Sequence, residues 1–466
     1  VFQVPIEETE IAPGRVVVWD LVPTAAGAVA GQVPPPRGAT SYNQVRHFSV
    51  ARDARDTEDA FSSYVAGTFE ISGRVDLRAL ESALLHVVRR HEVLRCTFGE
   101  LAGDVACGPL EPEAVTLRIA EVGHLDSPAR VRSYLHEFFR GIDTLSWPLI
   151  GMGAVVREES TTVFFGCDHL VSDGLSTPIA VHDIATVYAA LAGGRRPDLP
   201  EVGSYLGYSR EQRRRYREMD ADDGRLDHWK GFMARNGDFF PPFPLDLGLE
   251  PGRLYPTVNE LDPLLSADGT EALEARCRKA EGRLFMGLLA AVGVSLRKEG
   301  GPDVYRGLMP VNERGRGAYA HTMGWFINTL PVEFSVAEGQ GLDGTMAGVS
   351  AALDEMWRHV DVPFVKAWSL LAPEHFSLRT WPFAVNFFSY LDFRKVPGAR
   401  HHTEWRARKH IWSSRTNGIC FWFHRNDTGL YMNSIYADTP AARRTKAALG
   451  RTLVRTMENM AHRGTF

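Results

Sequence analysis

The chain is poor in cysteine. Cys96, Cys107, Cys167, Cys277 and Cys420 are its five in 466 residues, and no two form a C-x-x-C pair. An odd number at wide spacing argues against a disulfide framework or a zinc knot and places the chain in a reducing cytoplasm. Long apolar runs are missing as well. None reaches the ~18 residues that a membrane span requires. The opening VFQVPIEETE has no basic start and no apolar stretch behind it, so it does not read as a secretion signal. Positive charge is not in excess. The net charge of −5 gives no reason to expect nucleic acid as a partner, because such proteins need a basic face. The one basic run, Arg213–Arg217, has Glu211 and Asp220 beside it and reads as a solvated helix face. No G-x-S-x-G supplies a serine nucleophile, and no short repeat or low-complexity segment is present.

What remains is the composition of a globular protein, 44% hydrophobic and 23% charged. The length exceeds what one ordinary core serves, so two core-forming units are expected. An early strand, RVVVWDLV, runs into a Pro/Gly/Ala stretch ending near Pro36. Residues 76–91 predict a helix. Asp76 is its N-cap, and Leu77, Leu80, Leu84, Val87 and Val88 form its apolar stripe. EVLRCTF (92–98) reads as a strand. Residues 148–170 read as two strands joined by a polar turn at 158–161. A helix capped by Thr177 follows and stops at Gly193–Gly194.

The expected division is residues 1–205 as an N-terminal lobe, 206–240 as linker helices and 241–466 as a C-terminal lobe. In the second lobe we expect a helix at 268–299 and strands near 303–311, 326–336 and 381–393. An antiparallel pair at 417–438 and a last helix at 439–462 complete it.

One stretch stands out: FFGCDHLVSDGLSTPIAV, from Phe164 to Val181. His169, Asp173 and Gly174 form H-x-x-x-D-G where an apolar strand gives way to a turn and then a helix. Glycine permits φ > 0 in such a turn, and aspartate accepts hydrogen bonds from backbone or arginine. A lone histidine there is more often a packed core residue than a catalyst. The context decides between the two.

That context is a set of further motifs in order: SYNQVRH (41–47), RRHEVLRCTF (89–98), MGWFINTLPV (323–332), HVDVPF (359–364) and RTWPFAVNFFSY (379–390). With DHLVSDG they resemble the signature stretches of the condensation-domain superfamily of acyltransferases. This superfamily holds nonribosomal-peptide condensation domains and polyketide-associated, free-standing acyltransferases, and the long lead-in leans toward the latter. The first histidine of the family's H-H-x-x-x-D-G is Asp168 here.

The resemblance implies an α/β (α+β) fold of two chloramphenicol-acetyltransferase-like lobes in a V-shaped pseudo-dimer with a central tunnel. It implies an acyl group moving from a pantetheine thioester, on coenzyme A or a carrier protein, to a hydroxyl or amine acceptor in natural-product or lipid biosynthesis. His169 would be the base or the positioner of the nucleophile. Asp173 would be structural, pairing with Arg314 of the other lobe, with Arg316 as the alternative. The Gly174 amide would meet the oxyanion. Trp325, Asn328 and Asn386 are candidates for substrate contact or for packing. Independently of the resemblance, neighbouring side chains along a strand point to opposite faces, so Asp168, next to His169, would face away and bind a backbone amide or an arginine. No permanent cofactor, metal or nucleic acid is implied, and the chain is expected to act as a monomer. Two rival functions are a non-catalytic recruitment module and a carrier-bound aminoacyl epimerase.

Overall fold

The computed structural model describes residues 2–24, 38–57, 60, 62–376 and 385–466. The Pro/Gly/Ala stretch of 25–37 and the RTWPFA part of the late motif therefore lie outside the described residues.

The chain divides into two compact units. The first holds Val1–Glu218, Asn312–Phe326 and Arg394–Ser413, and the second holds Met219–Val311, Ile327–Phe393 and Ser414–Phe466. This corrects the contiguous division expected from sequence. Two short segments of the C-terminal half belong to the first unit, and no separate linker body exists. The helix Tyr205–Tyr216 falls in the first unit and Asp227–Ala234 in the second.

The first unit is built on a seven-stranded sheet. Its order is Phe2–Gln3, Arg408–Ser413, Ser63–Ser72, Ser160–Cys167, Ile150–Val156, Gly14–Pro23 and Val115–Leu125. The strand Arg408–Ser413 is the physical reason for the discontinuous unit. It pairs antiparallel with Ser63–Ser72, His410 opposite Ala66. The central strand Ser160–Cys167 is rich in β-branched and aromatic residues and is buried on both faces, which requires helices on both sides of the sheet.

One face packs on the amphipathic helix Pro128–Arg140. Val131, Leu135 and Phe139 of that helix join Tyr64, Val155 and Phe164 in one core. The other face carries the helix Ser176–Ala192. Gly67 permits its close approach, because a Cβ there would come within 2.9 Å of Thr177 and 2.6 Å of Phe165.

The helix expected at 76–91 is Leu77–Arg90, capped by Asp76. The strand expected at 92–98 begins only at Cys96, because Glu92–Arg95 closes a 3₁₀ turn. Thr177 does not cap the helix after Gly174. Leu175 holds the cap position without a side-chain bond, and the Asp173 carboxylate just before it accepts from the amides of Leu175 and Ser176.

The second unit holds a five-stranded sheet ordered Phe388–Asp392, Ile419–Asn426, Gly429–Ala437, Tyr255–Ser266 and Arg415–Thr416. A two-stranded piece, Val304–Asn312 with Ile327–Ser335, accompanies it. The helix expected at 268–299 is two helices, Ala267–Lys279 and Leu284–Lys298. They break where Glu281 takes a positive φ of 57°. The last helix is Pro440–Arg463.

Candidate active site

The strand Ser160–Cys167 ends one residue before Asp168, which caps a single 3₁₀ turn, His169–Val171. The Asp168 carboxylate accepts from the Leu170 amide at 2.7 Å. A turn therefore aims the His169 ring, and the strand alternation expected from sequence does not operate here. His169 is partly buried, and its Nδ1 is sealed off and bonds to no other residue, so Nε2 is the open end of the ring.

Aromatic neighbours fix that ring. The Trp325 ring lies 4.0 Å from it, centroid to centroid, tilted by 42°. His47 lies 6.1 Å away and touches the same tryptophan at 5.6 Å. His47 was not among the sequence candidates. It sits at the end of SYNQVRH, which marked the family and carried no hint of a partner. The fold joins it to Asp168, whose Oδ1 stands 3.1 Å from His47 Nε2. Thr144 Oγ1 donates to the other Asp168 oxygen at 2.6 Å. Asp168 is thus fully engaged by a backbone amide, one of the two partners expected for it, and by a histidine and a threonine that the sequence did not point to.

The electrostatics follow from burial and these contacts. Burial first, and then the nearby His47 imidazole, hold the His169 ring down to about 4. At neutral pH it carries no charge. Burial alone would raise the Asp168 carboxyl, but His47, Thr144 and the Leu170 amide outweigh that and hold it below its ordinary value.

Asp173 lies at the bottom of the turn with no exposed surface. Arg314 meets it in a two-pronged pair, Nη1 to Oδ2 at 2.6 Å and Nη2 to Oδ1 at 2.8 Å. Oδ1 also accepts from Leu175, Ser176 N and Ser176 Oγ, and Oδ2 from the Phe326 amide at 3.0 Å. Burial pushes this carboxyl up, but Arg314 and the other donors more than offset it and hold it down.

Arg314 is held in turn by the carbonyls of Thr322 and Gly324 and lies 4.6 Å over the Phe326 ring. Gly324 has a φ of 146°, and a Cβ there would stand 2.3 Å from Tyr205, so the segment closes only with glycine. Asp173 and Arg314 belong to the same unit, which corrects the pairing between lobes read from sequence. Arg316 is exposed and takes no part.

Asn328 and Asn386 belong to the second unit. The Asn328 side chain donates to the carbonyls of Val360 and Val362 and accepts from the amides of Thr329 and Phe364. Both its donors and both its acceptor sites are engaged, so it anchors the HVDVPF loop and has no polar group left for a substrate. Asn386 donates to the Arg306 carbonyl at 2.7 Å and ties down the neighbouring strand. Among the described residues one trio has metal-ligand spacing, His228, Glu355 and His359. The two imidazoles stack face to face at 4.2 Å and 4°, so their lone pairs lie in parallel planes and do not converge.

These shifts set an acid limit on stability. His169 and His410 are held to about 4, whereas unfolded imidazoles take up protons below about 6.5. Between those values the unfolded chain binds more protons, so stability falls as pH drops. Asp168 and Asp173 add a further loss only below the ordinary carboxyl range, near 3.9. The melting temperature is expected to decline from pH 7 to 5 and more steeply below 4. A level trace from 7 to 5 contradicts this.

Residues 56–390 match the Condensation domain family. An acyltransferase of Mycobacterium bovis, 2'-acyl-2-O-sulfo-trehalose (hydroxy)phthioceranyltransferase PapA1, is 28% identical over 342 residues. That alignment covers 71% of this chain and 64% of the relative, so the chain spans less than two thirds of that protein's length. Acyltransferase PapA3 of Mycobacterium tuberculosis is 26% identical over 358 residues, covering 75% of this chain and 74% of the relative.

Among solved structures, PapA2 acyl transferase superposes with a TM-score of 0.87 at 22% identity, covering 99% of this chain and 100% of that one. The X-domain from teicoplanin biosynthesis gives 0.66 at 21%, covering 93% and 97%. The fold is therefore the mixed α/β fold of condensation domains, of chloramphenicol-acetyltransferase type. With the match running over 56–390 of 466 residues, the chain belongs to the condensation-domain family.

Proposed function

We propose that this chain is an acyltransferase that moves an acyl group from a pantetheine thioester to a hydroxyl, with a sugar hydroxyl as acceptor and His169 as the base. The observation that carries the reading is the state of His169. Its ring is neutral, its Nδ1 is sealed, its Nε2 is open, and the turn below it is locked by a buried ion pair. A neutral imidazole in that setting accepts the proton that a hydroxyl sheds as it attacks a carbonyl. Both substrates bind together, so no enzyme-bound acyl group is needed.

Asp173 and Arg314 are positioning residues in this scheme, because they touch the turn and each other. Trp325 walls the ring and limits its tilt. The relatives' names, which include Trehalose-2-sulfate acyltransferase PapA2, support a sugar hydroxyl over an amine. The donor is coenzyme A or a carrier protein.

An intact-mass assay tests the reading, with palmitoyl-CoA as donor and trehalose or its 2-sulfate as acceptor. Ester product and released thiol in equal amounts are expected. A folded protein that releases no thiol with these or other pantetheine donors is a recruitment module. Exchange of the α-hydrogen of a carrier-bound aminoacyl group without transfer marks an epimerase.

The same state of His169 sets the pH dependence. The base must be unprotonated, and its folded value is about 4. The plot of kcat/KM against pH is therefore expected to stay flat from pH 7 down to 5 and to show no inflection near 6.5. An inflection at 6.5 that vanishes in His169→Ala would show an ordinary solvated imidazole and contradict the burial argument.

A further inference from the structure

Lys409 is a buried cation with no ion-pair partner among the described residues. It lies on the strand Arg408–Ser413, opposite Gly67, and is 4% exposed. Strand alternation puts it on the sheet face that carries the helix Ser176–Ala192, while His410 points to the other face and bonds Thr68 and the Val4 carbonyl. The lysine stem leads to the turn below His169. A methyl group added to Gly174 would come to 3.4 Å from Lys409 Nζ.

Asp173 is the acid near Lys409, but its oxygens already hold Arg314 and four further donors, and its charge is balanced by that arginine. Among the described residues Lys409 Nζ has no hydrogen-bond or ion-pair partner, and it is not one of the sealed polar atoms, so it meets accessible space. The N–H of Gly174, a partly exposed residue, likewise donates to no described group. Desolvation lowers the ammonium to about 8, which still leaves it mostly charged at pH 7.

A buried, unpaired charge beside the N-terminus of a helix opposes folding. Desolvation penalises it, and the helix end repels cations. Such an arrangement becomes favourable when an anion arrives. We propose that Lys409 and the Gly174 amide together form the receptor for the oxyanion of the acyl-transfer step, with Lys409 as its charged donor. This rests on the acyltransferase reading above.

In the step, the acceptor oxygen bonds to the thioester carbon while the carbonyl π pair moves onto oxygen, and His169 takes the hydroxyl proton. The oxyanion accepts from Lys409 Nζ and Gly174 N–H. Its electron pair then re-forms the carbonyl and breaks the C–S bond, and the thiolate leaves with the proton that His169 held. Lys409 keeps its own proton throughout.

The test is Lys409→Met in the full chain, with Lys409→Gln as a second variant that keeps an N–H donor without the charge. Turnover is read as thiol release from palmitoyl-CoA with trehalose 2-sulfate, beside wild type and His169→Ala. Loss of one oxyanion donor typically costs ~10²–10³ in kcat. For Lys409→Met we expect kcat to fall about 10²-fold at nearly unchanged KM, a smaller fall for the glutamine variant, and a melting temperature above wild type. A structural lysine would give a lower melting temperature, and that result overturns the proposal. A rise in KM at unchanged kcat also overturns it, because the ammonium would then serve a permanent anion of the substrate. If His169→Ala is inactive while Lys409→Met keeps its kcat, this assignment alone fails. If wild type releases no thiol, the acyltransferase reading is at fault, and the melting comparison still decides whether Lys409 is an uncompensated charge.

Discussion

Replacing His169 by alanine is expected to lower kcat by ~10²–10⁴ and to leave the fold intact, because a positioned base contributes that much to a proton transfer. The fold is safe for a local reason. The turn is held by Asp168 at its start and by Asp173 with Arg314 at its end, and neither anchor uses the imidazole. The ring packs on Trp325, so some contact is lost and a small cavity forms there.

Against that loss stands a gain at acid pH. A histidine held at about 4 in the fold and near 6.5 when unfolded opposes folding by up to about 2 kcal/mol at pH 5, less what its solvated edge recovers. The variant should therefore melt near wild type at pH 7 and lose less of its melting temperature on going to pH 5. Turnover within tenfold of wild type, at matched folding by circular dichroism, would remove His169 from the chemistry. An unchanged pH dependence of melting would show that the ring is not desolvated.

The sequence carried the parts of this site that depend on neighbours along the chain. Asp173 and Gly174 were readable as turn residues because their chemistry is local, and the helix over Leu77–Arg90 announced itself by its apolar spacing and its aspartate cap. Arg314 was reached only through the resemblance, since nothing in PVNERGR foretells a partner 141 positions away. What was misread depends on tertiary pairing. Contiguous lobes looked natural until strand Arg408–Ser413 was found inside the first sheet. Asn328 stands open in the sequence between substrate contact and packing, and its amide is the anchor of a loop more than thirty positions on. His47 and Lys409 carried no signal at all. A histidine in the polar helix Tyr42–Ala54 and a lysine in the basic strand Arg408–Ser413 read as ordinary until a distant carboxylate, or the lack of one among the described residues, gives them meaning.

Asp173→Ala and Arg314→Ala are each expected to lower stability by ~3–5 kcal/mol, because each leaves a buried charge without its partner. Both side chains are 1% exposed, so solvent cannot take over. For a unit of this size that is a fall of roughly 6–20 °C in melting temperature. The aspartate variant also orphans the amides of Leu175, Ser176 and Phe326, so it should be the worse of the two. Activity should fall with it even where the protein is folded, since the turn that aims His169 loses its clamp. The double variant removes both charges together. It should cost less than the sum of the singles by about 2–3 kcal/mol, the coupling expected of residues in direct contact. The sign with pH follows from the depressed carboxyl. Its contribution is complete above the unfolded value near 3.9 and is lost as pH falls through the lower folded value, so wild type and Asp173→Ala should converge in acid. Additive single losses at pH 7, or a gap that persists undiminished at pH 2, would mean that the pair does not hold the turn and that packing around Phe326 does.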